Sequence, residues 1–69
     1  MKAIFVPAIN GMYSMEAARV TETGIDDEII RRKALAAGFT PEYASVMIDG
    51  RGYIEIKDVN GYFRYVQED

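Results

Sequence analysis

At 69 residues and 7.8 kDa, the chain has room for one domain, residues 1–69, and no more. It contains no cysteine, histidine or tryptophan. That excludes disulfides, thiolate ligands and cysteine nucleophiles, and removes both the usual neutral-pH base and the usual transition-metal ligand. Eight basic against eleven acidic side chains leave a net charge of -3, the wrong sign for non-specific binding to nucleic acid or to an anionic membrane.

Asn10-Gly11 and Asn60-Gly61 each lie between apolar segments. Asn-Gly tolerates the positive φ that a type I′ turn requires, so both dipeptides predict hairpins. The first joins residues 2–9 to 12–20. Alternation places Ile4, Val6, Tyr13 and Met15 on one face and Phe5, Ile9 and Met12 on the other. Pro7 cannot donate a ladder hydrogen bond, which predicts an edge position or a bulge there. Residues 14–20 also fit a short helix, because Met-Glu-Ala-Ala-Arg favours one.

A helix is predicted between Ile25 and Ala37. Asp26 is its N-cap, Asp27 and Glu28 suit the positive end of the dipole, and Gly38 supplies a left-handed stop. Asp27–Arg31 and Glu28–Arg32 stand at i,i+4 spacing. Leu35 points away from the apolar stripes of this helix and marks a second contact surface.

Thr40-Pro41 has the form of a helix start, with Thr40 as cap and Pro41 at the first helical position. Tyr43-Ala44-Ser45-Val46-Met47-Ile48 fits either a helix or a strand, and a strand over 44–49 would extend the sheet as a meander. Asp49-Gly50-Arg51-Gly52 then turns the chain into the last hairpin, 53–59 with 62–67. A two-residue loop at Asn60-Gly61 pairs Val59 with Tyr62, Lys57 with Arg64 and Glu55 with Val66. Ile54, Ile56, Phe63 and Tyr65 form its inward face. The expected fold is α+β: a small antiparallel sheet of four to five strands, in ββαβββ order, with one main helix packed on a face. Two helices between two hairpins is the second arrangement the pattern allows.

Three local patterns bear on chemistry. Residues 49–58 resemble the second part of an EF-hand calcium loop, with Gly52 at the sharp turn and Asp58 near the final ligand. In that register Met47 and Arg51 stand where oxygen ligands are required, so no metal or other cofactor is expected. Helix, Gly38-Phe39-Thr40 turn, a helix from Pro41 and a hairpin would match a winged helix-turn-helix. Its reading helix would carry Glu42 and no base, Asn or Gln to contact bases. The serines and threonines have no histidine to activate them, and adjacent Asp26 and Asp27 are explained by capping. No catalysis and no small-molecule substrate are expected.

What remains is surface. A chain this short buries only about 60% of its unfolded surface, so a partner is a physical expectation. Tyr53, Val59, Tyr62, Arg64 and Val66 form a predicted outward patch rich in the Tyr and Arg that dominate binding hot spots. With Leu35 they are the candidate contacts to a protein partner. No apolar run approaches the ~20 residues of a membrane span, and Pro7 cuts short the apolar start of the chain, so a cytoplasmic protein is expected. The expected function is that of a small acidic, non-catalytic protein–protein interaction module. It would bind or sterically inhibit a larger protein complex and self-associate as a homodimer. The size and element order are similar to those of small phage-encoded inhibitors, anti-CRISPR proteins among them. That resemblance covers no motif and implies only an inhibitory subtype. The alternative is a winged helix-turn-helix DNA-binding accessory or repressor-like protein.

Overall fold

A computed structural model describes residues 1–68. Strand β1 (Lys2–Ile9) is followed by a two-residue strand β2 (Met12–Tyr13), a single 3-10 turn (Met15–Ala17) and strand β3 (Arg19–Glu22). Helices α1 (Asp27–Ala36) and α2 (Pro41–Asp49) come next, then strands β4 (Tyr53–Asp58) and β5 (Gly61–Val66). All strand pairs are antiparallel. β1 lies between β5 on one side and β2 and β3 on the other, and β4 forms the far edge. The α+β class and the small antiparallel sheet are as the sequence indicates. The order is βββααββ, with two helices rather than one.

The Asn10-Gly11 turn forms as expected, with φ of 53° and 80°. The 3-10 turn then divides the return strand in two, so residues 12–20 are neither one strand nor one helix. Pro7 sits within a central strand without cost. Ala8 N–H donates to the Asn60 carbonyl on the β5 side. Alternation turns the backbone polar atoms of Pro7 the other way, into the gap between β2 and β3, where its carbonyl accepts from Ser14 N–H at 2.9 Å.

The second hairpin is shifted by two residues from the expected register. Asp58 pairs with Gly61, Ile56 with Phe63, Ile54 with Tyr65 and Glu55 with Arg64. The loop is therefore Val59-Asn60, and Gly61 belongs to β5. A two-residue shift preserves alternation, so Ile54, Ile56, Phe63 and Tyr65 still share the inner face.

Asp26 caps α1, accepting from Glu28 N–H at 2.7 Å. The helix ends as a Schellman motif: Phe39 N–H bonds to the Ala34 carbonyl and Gly38 N–H to Leu35, with Gly38 at φ 97°. The expected strand over 44–49 is instead α2. Thr40 accepts from Tyr43 N–H at 3.1 Å with Pro41 in the first turn. Ala44 and Ile48, four apart, are buried while Val46 is 67% exposed. A strand would have put all three on one face. Capping and this i,i+4 pair decide for the helix over a meander strand. Arg31 does not pair with Asp27. It reaches across to α2, where its guanidinium donates to Ser45 Oγ at 3.0 Å and to the Asp49 carboxylate.

Both helices cover the inner face of the sheet. Ile30 and Ala34 of α1 and Ala44 and Ile48 of α2 pack with Met1, Ala3, Ile25, Ile54 and Tyr65, flanked by Phe39, Met47, Ile56 and Phe63. No polar or charged residue is buried among the described residues. No helix among them is long and apolar enough to cross a membrane.

Candidate functional site

Strand alternation puts Ile4, Val6, Tyr62, Arg64, Val66, Tyr53, Glu55 and Lys57 on the sheet face opposite the helices. The Ala8↔Tyr13 and Ile4↔Val20 pairs add Tyr13 and Val20 to it. Among the described residues, only the 3-10 turn rests on this face. Met15 is half exposed there, and its sulfur accepts from the Tyr62 hydroxyl at 3.4 Å. Tyr13 meets Tyr62 edge-on, with ring centroids 4.8 Å apart, a geometry that aligns a ring's positive edge with its neighbour's negative face.

Arg64 is the polar centre of the face. Its Nε and Nη2 both donate to Glu55 Oε2, at 2.9 and 2.6 Å. Its guanidinium lies 4.3 Å from the centroid of the Tyr53 ring. The hydrogen bond from Arg64 to Glu55 raises the guanidinium pKa further above its ordinary value, outweighing partial burial. The arginine is thus charged and held in one pose by a carboxylate and a ring. Tyr13, Tyr62, Glu55, Lys57 and Arg64 enclose a shallow groove of ≈ 360 Å³ beside it.

Tyr53, Tyr62, Arg64 and Val66 therefore share one face. Val59 does not join them; it stands at the tip of the β4–β5 loop and is 92% exposed. Leu35 is half exposed on α1, in the layer on the other side of the sheet. Sequence reasoning left Tyr13 and Met15 out of the site. The alternation of the first hairpin already placed them with Ile4 and Val6. That this face continues onto Tyr62 depends on β1 lying beside β5, a pairing across some sixty residues that no local pattern signals.

Asp49 ends α2 and binds Arg31, whereas Asp58 closes the far end of β4 and accepts from Asn60 N–H. No group of three or more acidic side chains among the described residues is placed to hold a metal ion. The helix–turn–helix–hairpin order is present, and α2 presents Glu42, Tyr43, Val46 and Asp49 to solvent, an acidic and apolar surface. No protein-family model, curated protein or solved structure matches the chain.

Proposed function

We propose that the protein is a non-catalytic interaction module that docks another protein on its helix-free sheet face, around Tyr62 and Arg64. The observation carrying this is the fixed pose of Arg64 between Glu55 and Tyr53 within an aromatic surface. A side chain immobilised before binding loses less entropy on binding, and Tyr and Arg contribute large contact areas with directional polar groups. Exposed Tyr13, Met15 and Val20 extend the surface with apolar area that water solvates poorly. The action would be steric: occupying a surface that a larger complex needs, or scaffolding it. The resemblance in size to phage-type inhibitors favours the first form.

Three immobilised baits test this: wild type, the double variant Tyr62→Ala/Arg64→Ala, and Leu35→Ala as a control on the opposite layer. Proteins enriched by wild type should be lost from the double variant and kept by Leu35→Ala. Equal capture by all three removes the sheet face from consideration. Retention on a random-sequence duplex that falls steeply with salt would instead favour the DNA-binding alternative.

A further inference from the structure

The two edges of the sheet are built differently. On the β2/β3 side the edge is broken into strands of two and four residues by the 3-10 turn, with a register shift opposite Ala3/Ile4. Short, bulged edges of this kind resist pairing with other chains. The opposite edge is β4: six residues in unbroken register with β5, without proline, bonded to no other strand among the described residues.

Alternation fixes what that edge offers. Ala8 N–H bonds to Asn60, so the even-numbered residues of β5 bond toward β1 and Gly61, Phe63 and Tyr65 bond toward β4. Their partners Asp58, Ile56 and Ile54 are therefore satisfied internally. The N–H and C=O groups of Tyr53, Glu55 and Lys57 point outward from the sheet.

We propose that this edge takes a second copy of the same chain, β4 against β4 antiparallel, about a two-fold axis through Ile56. Two antiparallel registers overlap five residues of β4 and match the outward backbone groups. One sets Glu55 against Glu55, a like-charge pair. The other sets Glu55 of each copy against Lys57 of the other, and charge selects it. Both side chains have capacity for the new bond. Arg64 engages only Oε2 of Glu55 and leaves Oε1 open, and Lys57 makes no ion pair among the described residues. In this register the two Ile56 side chains meet at a close, non-hydrogen-bonded position on the inner face. There a groove of ≈ 410 Å³, lined by Ala37, Phe39, Glu55, Ile56 and Lys57, runs beside the edge. The interface is isologous and closes at two copies. It joins two sheets into one and turns both Arg64 faces to the same side, so the dimer would present its docking surface twice. The pairing does not depend on that surface binding anything.

Solution mass over a hundredfold dilution tests the proposal. Wild type should show twice the 7.8 kDa chain mass at the upper end. Lys57→Glu and Glu55→Lys should each be monomeric, since each creates two like-charge pairs. Mixed in equal amounts they should recover the dimer mass, because both cross-strand pairs become opposite in charge. Tyr62→Ala/Arg64→Ala should remain dimeric. A wild type monomeric throughout, a Lys57→Glu dimer, mixed variants that stay monomeric, or a dimer lost on mutating Tyr62 and Arg64 overturns the edge pairing. Only the last would implicate the sheet face in self-association, and none of them alters the foreign-partner test above.

Discussion

Gly61 lies directly against Pro7 across the β1–β5 ladder. A Cβ on Gly61 would overlap the Val6 carbonyl oxygen and come within 2.8 Å of Pro7 Cα. The Asn60-Gly61 dipeptide advertises a turn, but the glycine serves a different purpose: it lets β1 and the start of β5 close at the point where the central strand carries proline.

Gly61→Ala should therefore cost more than a turn glycine normally does. Backbone atoms are in the way and cannot rotate aside, so the penalty belongs with overpacking, at about 2–3 kcal/mol. In a domain of this size each kcal/mol lowers Tm by roughly 4–8 °C. Gly11→Ala provides the comparison, because a Cβ there meets nothing within 4 Å and strain arises only from φ of 80°. Thermal unfolding should show Gly61→Ala well below Gly11→Ala. The reverse ranking would mean that β1 and β5 do not approach in this way.

Ile48 and Val46 discriminate the helix from the strand over 44–49 that would extend the sheet as a meander. Ile48 is fully buried against α1 and the sheet, and Val46 is mostly exposed. Ile48→Val should cost about 1 kcal/mol, and Ile48→Ala about 2–5 kcal/mol. The larger loss is comparable to the whole stability of a core this small. Val46→Ala should be nearly silent. Denaturant titration measures all three. A Val46→Ala loss equal to that of Ile48→Ala would restore the strand.

These two cases show where the sequence was legible. The caps at Asp26 and Thr40, the stop at Gly38 and the inward face of the last hairpin follow from local chemistry, and each forms as the residues indicate. The two-residue register shift at Val59-Asn60 was not legible, because Gly61 answers to a neighbour more than fifty residues away in the chain. The same holds for the site. Tyr53, Tyr62, Arg64 and Val66 share a face by alternation alone, whereas the addition of Tyr13 and Met15 depends on long-range strand order. At α2 the residues fit helix or strand, and the cap at Thr40 prevailed over a meander strand because Ala44 and Ile48 both reach the core.

Arg64 and Glu55 are partly exposed, so their pairing should matter more for recognition than for stability. A double-mutant cycle with Arg64→Ala and Glu55→Ala should give a coupling of about 0.5 kcal/mol in thermal or denaturant unfolding, smaller at high salt. Arg64→Lys should capture a partner as poorly as Arg64→Ala, because an ammonium cannot both fork onto Glu55 and stack on Tyr53. If lysine supports capture as well as arginine, the charge alone suffices and the fixed pose is irrelevant.

Tyr65 links the fold to pH. Burial in the core raises its phenol pKa above the usual value of about 10, and Glu22 and Asp58 raise it further. The folded state therefore holds this proton more tightly than the unfolded state does. The contribution is fully present below pH ~10 and is lost as pH rises through the higher folded-state pKa. Stability should fall with alkali over that window, and Tyr65→Phe should flatten the fall while changing little at neutral pH. Denaturant midpoints measured at intervals between neutral pH and strong alkali separate Tyr65→Phe from wild type. Identical slopes for wild type and Tyr65→Phe would show that the phenol is not what the core protects.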